Sequence, residues 1–172
     1  MTLLRVFLGA AAAAACVALA CSGAGTTIPQ CTGASCACSG TSCGCDGGAS
    51  CNVQCAQGGS GCSASCNGVG NCTVACNDNC AIDCKSGDTC GGTCGANCSY
   101  SCDSQKTCTV TAGDNSTIDC RSSGSCSVTC TGSCIVNCTS VDNCSVSCPD
   151  DAGAKECGNY KICGNMTPDG GC

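Results

Sequence analysis

Cysteine recurs in this chain on a period of 18 residues, and that spacing restricts the fold more than any other feature of the sequence. In the stretch NCTVACNDNCAIDCKSGDT (residues 71–89), a C-x-V-x-C unit is followed, three residues on, by C-x-I-x-C. First units begin at Cys72, Cys90, Cys108, Cys126 and Cys144, each 18 residues after the last. Second units begin eight residues later, at Cys80, Cys98, Ser116 and Cys134. CSASC (Cys62 to Cys66) and CNVQC (Cys51 to Cys55) extend the pattern upstream with a longer connection. Self-similarity at a short fixed period is the signature of a stacked repeat, in which each unit buries its inner face only against its neighbours.

Within each unit, positions one, three and five are mostly Cys, Val or Ile, whereas positions two and four are mostly Ser, Thr, Asn or Asp. That period-two alternation predicts short strands with sulfur and β-branched side chains inward. The connectors NDN, GAN, GDN and TGS have turn composition. Asn79, Asn97 and Asn115 recur at one phase, which suggests an asparagine ladder along one corner. The expected fold is all-β and disulfide-rich, with few regular helices. It is a β-solenoid of about five 18-residue coils with two short strands per coil, the coils stacking about 4.8 Å apart.

Such a coil needs its cysteines oxidised. Beyond Cys21 there is no Leu, Phe or Trp, and the large apolar residues are five Ile, eight Val, Met166, Tyr100 and Tyr160. A conventional core cannot be built from these, and chains with poor cores rely on disulfides or metals. The third coil has Ala112 and Ser116 where cysteines belong, both lost across one turn. A joint loss is what a disulfide leaves behind, so the equivalents Cys76–Cys80, Cys94–Cys98 and Cys130–Cys134 are expected to pair. Closing the five-residue turns as well gives Cys45–Cys51, Cys66–Cys72, Cys84–Cys90, Cys102–Cys108, Cys120–Cys126 and Cys138–Cys144. With Cys55–Cys62 added, an even number of cysteines remains at each end. Pairing within each coil (Cys72 with Cys84 and so on) leaves odd numbers there.

The ends read differently. Residues 1–20 have a short basic n-region with Arg5, an apolar run and small residues before Cys21, which is a signal-peptide layout. VALACSG (Val17 to Gly23) resembles a bacterial lipobox, with Ala18 where such boxes usually carry leucine, and the resemblance implies lipidation of Cys21. Residues 21–30 are then a flexible tether, 31–148 the cysteine-rich solenoid and 149–172 a disulfide-linked cap. Of thirty cysteines, removal of Cys16 and lipidation of Cys21 leave an even number to pair.

Several chemistries find no support. The net charge is −6 and no basic patch exists to hold phosphates, which argues against nucleic acid. There is no histidine, so zinc sites completed by imidazole and Ser-His-Asp triads are both excluded. CACSGTSCGC (Cys36 to Cys45) is similar to the C-x-C clusters of metallothioneins, which makes a metal-thiolate protein an alternative, but β-alternation has no use in such a cluster. Redox C-x2-C pairs are lacking. Asp83 and Asp119 share a phase two coils apart, which reads as a solvated face. Asn71, Asn97, Asn115, Asn137, Asn143 and Asn165 open glycosylation sequons that matter only in a eukaryotic secretory pathway. No cofactor and no small-molecule substrate is expected.

The run CTVAC, CAIDC, CSVTC, CIVNC, CSVSC resembles the cysteine-rich repeat lipoproteins of bacterial secretomes over residues 31–148. The architecture is also similar to the disulfide-stapled solenoids of insect antifreeze proteins, whose threonine arrays face ice. In this chain the outward stripe holds Thr73, Thr93, Thr109, Thr111, Ser127, Thr129, Ser145 and Ser147, with one full threonine pair at Thr109/Thr111. The resemblance implies a non-enzymatic, extracytoplasmic protein, lipid-anchored in the bacterial envelope or secreted, with a structural or adhesive role. Its only membrane contact is the lipid anchor, and the alternative role is ice or other ligand binding on the Ser/Thr stripe.

Overall fold

A computed structural model describes residues 29–55, 61–149, 153–168 and 171–172. The signal segment, Cys21 and the tether up to residue 28 lie outside the described residues. Those described form a β-solenoid of two facing sheets. One wall is built from β4 (Ser50–Gln54), β6 (Asn71–Ala75), β8 (Thr89–Cys94), β10 (Thr107–Ala112), β12 (Ser125–Cys130) and β14 (Asn143–Ser147), all parallel. The other is built from β3 (Ser42–Asp46), β5 (Ser63–Asn67), β7 (Ala81–Lys85), β9 (Ser99–Asp103), β11 (Ser116–Asp119) and β13 (Cys134–Asn137), also parallel. The chain crosses from wall to wall at every turn, so the coils number six, where the 18-residue spacing suggests about five. The additional coil is β3–β4, whose register with the next coil (Ser42 opposite Ser63, Ser50 opposite Asn71) spans 21 residues.

Antiparallel strands cap both ends. β1 (Gln30–Thr32) pairs with β4, and β2 (Cys36–Ser39) forms a hairpin with β3. At the other end β16 (Tyr160–Cys163) pairs with β13 and with β15 (Lys155–Cys157). These caps blunt both ends of the second wall and the β4 end of the first, edges that otherwise present unpaired N–H and C=O groups, while β14 is the last strand of the first wall among the described residues.

Register follows from the alternation. Val53, Val74, Val110 and Val128 face inward on the first wall, and Ala64, Ile82, Tyr100, Ile118 and Val136 on the second, all nearly inaccessible. Flanking cysteines complete the interior, so the core is a narrow slab of sulfur and β-branched carbon.

Most corners hold one residue at positive φ, in the left-handed region that most side chains avoid, and the Thr131–Ser133 corner does without one. Asn79, Asn97 and Asn115 supply it at one corner (φ 55–58°), and Ser86, Ser104, Ser122 and Ser140 at the other (φ 56–58°). The recurring asparagines therefore serve the backbone, since asparagine tolerates this conformation well. Main-chain bonds carry the coil-to-coil ladder through the corner: Asn79 N–H donates to Ala96 C=O (2.8 Å) and Asn97 N–H to Asp114 C=O (2.7 Å). The side chains that brace that corner are aspartates. Asp78 Oδ1 accepts from Ala96 N–H and Asp114 Oδ1 from Ser133 N–H, both at 2.7 Å.

Candidate functional site

Sulfur lines both edges of the slab. At one corner the structure joins Cys45–Cys51, Cys66–Cys72, Cys84–Cys90, Cys102–Cys108, Cys120–Cys126 and Cys138–Cys144, with Cα atoms 6.1–6.3 Å apart. At the other it joins Cys55–Cys62, Cys76–Cys80 and Cys130–Cys134. Cys38–Cys43, Cys148–Cys163 and Cys157–Cys172 hold the ends. The Cys45 sulfur lies within bonding reach of both Cys36 and Cys51. One sulfur holds one disulfide, and the bond to Cys51 repeats the pairing of five other coils. Keeping it leaves Cys36 without that bond, at the end where Cys31 is also a thiol. Close sulfur triples such as Cys51, Cys66 and Cys72 arise because turn disulfides stack from coil to coil. Sulfurs joined in disulfides are not thiolate ligands, so these triples offer no cluster of the metallothionein kind.

One expected bond is corrected. Cys94 and Cys98 are buried thiols that meet across the turn without joining. Their counterparts Cys130 and Cys134 border the same Ala112 and Ser116 and are bonded, so the missing neighbour disulfide is not the reason. The difference lies in β8. Where other coils have an inward valine, this strand has Gly92 at φ +143°, and a side chain there would run into the Val74 backbone. In this setting Cys94 Sγ lies 3.7 Å and Cys98 Sγ 3.4 Å from Gly95 C=O. The facing Cys94 thiol lowers the pKa of Cys98, against the pull of burial. The facing Cys98 thiol, together with burial, pushes Cys94 well above the ordinary thiol range.

Tyr100 completes this irregular patch. Its ring takes the inward place held by Ile82 and Ile118 in the adjoining coils, and its hydroxyl donates to Cys90 Sγ at 3.6 Å. The neighbouring Cys94 and above all burial raise its pKa. The hydroxyl thus reaches the sulfur of Cys90, the inward residue two before Gly92.

The outer faces of the two walls differ in chemistry. On the first wall the sequence stripe is brought into two in-register columns, one with Thr73, Thr109, Ser127 and Ser145, the other with Thr93, Thr111, Thr129 and Ser147. A third column, missed because its residues precede the first cysteine of each unit, holds Asn71, Thr89, Thr107, Ser125 and Asn143. Period-two alternation extended back by one step would have found it. Thr89 Oγ1 donates to Asn71 Oδ1 (2.6 Å) and Ser125 Oγ to Thr107 Oγ1 (3.4 Å), tying coil to coil. No residue of β4, β6, β8, β10, β12 or β14 carries a charge.

The second wall is charged. Asp83, Ser101 and Asp119 form one column, and Lys85 stands opposite Asp103 in the next. Asp83 pairs with Lys85 (2.6 Å), which raises the lysine pKa, and Asp119 pairs with Arg121 (2.7 Å). Both carboxylates have a cation beside them, as a solvated face requires. A shallow groove of about 540 Å³ runs along this face past Ser65, Ser101 and Thr117. No family model matches the chain, and neither a curated protein nor a solved structure matches it.

Proposed function

We propose that this chain is a non-enzymatic, disulfide-stapled scaffold of the bacterial cell envelope, anchored through a lipid on Cys21 or secreted. Its working surface is the uncharged outer face of the first wall, in a structural or adhesive role. Disulfides on this scale are typical of extracytoplasmic proteins, which supports the placement.

The observation that carries the reading is the asymmetry between the walls. Three columns, mostly hydroxyl and amide side chains and interrupted at Gly91 and Ala75, run in register along the first wall without a charge on its strands, while the Asp83–Lys85 and Asp119–Arg121 pairs lie on the opposite face and the Asp88–Lys106 pair at the corner just before β8 and β10. A rigid, flat and uncharged polar face loses little conformational entropy on contact with an extended surface. The total lack of histidine and the ion pairing of Asp83 and Asp119 support a role without catalysis.

The test is retention of the purified mature protein on immobilised peptidoglycan and on capsular polysaccharide. Thr109→Lys with Thr111→Lys is expected to reduce retention on one of these at least about tenfold, and Ser101→Lys on the opposite wall to leave it unchanged. Equal losses from the two walls, or no retention at all, would refute an adhesive role for this face.

A second reading is favoured by one feature of the same face. Thr89, Thr93, Thr107, Thr109, Thr111 and Thr129 cluster on β8, β10 and β12, an array of the kind that the resemblance to antifreeze solenoids implies. Thermal hysteresis that disappears in the Thr109→Lys variant would select this reading over adhesion.

A further inference from the structure

We propose that Cys94 and Cys98 form a reversible thiol site that exchanges with low-molecular-weight disulfides, unlike the permanent turn disulfides around it. The departures from the repeat converge on this place. Gly92 and Tyr100 alter the core beside Cys94, and Ala112 and Ser116 replace the sulfurs of the next coil. Ser116 Oγ accepts from Cys98 N–H and donates to Gly95 C=O, both at 3.2 Å. The Cys98 thiol has Gly95 C=O at 3.4 Å and Asn77 C=O at 3.5 Å. The dithiol form is therefore satisfied by hydrogen bonds, so reduction does not leave buried polar atoms without partners. At the Cys130–Cys134 turn the neighbouring valine, Val128, is in place and the bond is closed.

The chemistry balances with one named co-reactant. The Cys98 thiolate attacks a sulfur of a small disulfide such as oxidised glutathione, forming a mixed disulfide and releasing one thiol. Cys94 gives up its proton and attacks the Cys98 sulfur, closing the Cys94–Cys98 bond and releasing the second thiol. Two protein thiols are oxidised and one external disulfide is reduced. The three-residue corner Gly95–Asn97 joins the pair and is tied to the corners on either side by Asn79 N–H to Ala96 C=O and Asn97 N–H to Asp114 C=O, so entry requires these bonds to open. Cys98 is the more acidic of the two thiols because Cys94 faces it, and this makes it the attacking sulfur.

The experiment is a glutathione redox titration of the full mature protein, quenched in acid and read by mass mapping of alkylated peptides. Cys94–Cys98 is expected to be at least about tenfold easier to reduce than Cys130–Cys134, its closest geometric counterpart. Reduction together with Cys130–Cys134 would overturn the proposal. So would thiols that stay reduced at every glutathione ratio. A second readout uses Cys94→Ala, which removes the facing thiol: the alkylation midpoint of Cys98 should rise toward the ordinary thiol value of about 8.5. A midpoint that does not move would show that Cys94 plays no part in activating Cys98.

Discussion

Coil β11–β12 and the stretch from β8 to β10 are built on the same 18-residue rule, yet they hold their interiors in different ways. In β11–β12 every inward place has its repeat residue except Ser116: Ile118, Cys120, Cys126, Val128 and Cys130 are all buried, and the sulfurs are bonded. From β8 to β10 a glycine stands for valine, a tyrosine for isoleucine, an alanine for cysteine, and two cysteines remain thiols. The register nevertheless passes through without a slip, Cys90 opposite Cys108 and Thr93 opposite Thr111. Backbone pairing and the turn disulfides therefore fix the stack, while the interior is free to trade volume between coils.

Removing the turn disulfide from the regular coil is the harshest way to probe that division. Cys120→Ala with Cys126→Ala is expected to cost about 2–4 kcal/mol, from loss of a closed loop and of two buried sulfurs. The same double replacement at Cys94 and Cys98 removes no covalent bond in this structure, and it should cost at least about 1 kcal/mol less. Thermal unfolding without reductant measures both. Equal losses would mean that the two coils are held alike, and the contrast between them would disappear.

The volume trade is probed by placing the repeat residue in the irregular coil. Tyr100→Ile restores the consensus, but Gly92 leaves nothing to fill the space the ring vacates, so a loss of about 2 kcal/mol is expected. Ile118→Val in the neighbouring coil, which removes one methylene, should cost about 1 kcal/mol. If Tyr100→Ile is neutral or stabilising, the ring does not compensate for Gly92.

These contrasts also mark where the sequence is readable. The strands from Ser63 to Ser147, their register and the inward Val and Ile rows follow from alternation and period alone, because both depend on nearest-neighbour spacing. The sixth coil is harder to see: β3 carries Cys43, Gly44 and Cys45 with no β-branched residue, and its spacing to the next coil is 21. The caps β1, β2, β15 and β16 are too short to show any period. Gly92 and Tyr100 stand in adjoining coils, eight residues apart, and alternation has nothing to say about volume. Nor does alternation decide whether Cys94 and Cys98 join. On the surface, the sequence showed the Ser/Thr stripe but not its third column, and the ion pairs of the second wall became visible only once Asp83 and Lys85 were seen to point the same way.

The smallest expected effect is the most demanding of the register. Ala112 and Ser116 lie opposite Cys130 and Cys134 on one side, and Ala112 lies opposite Cys94 on the other. Both are fully buried at the two ends of the turn Gly113–Asn115. Cα atoms facing each other across the equivalent turns are 6.1–6.5 Å apart, within the range a disulfide spans. Ala112→Cys with Ser116→Cys should therefore form a bond on oxidation, visible by non-reducing peptide mapping. The gain in stability is about 1 kcal/mol, since a short loop restricts the unfolded chain little and the Ser116 hydrogen bonds to Cys98 N–H and Gly95 C=O are lost. Replacing only one of the two should leave a single thiol and promote scrambling with its neighbours. If the paired variant keeps two free thiols, the regular geometry does not extend through this turn, and the irregular region is wider than Gly92 and Tyr100 alone account for. If the new cysteines bond and Cys94 and Cys98 stay reduced beside them, glycine at position 92, and not the loss of sulfur from the next coil, is what keeps that pair open.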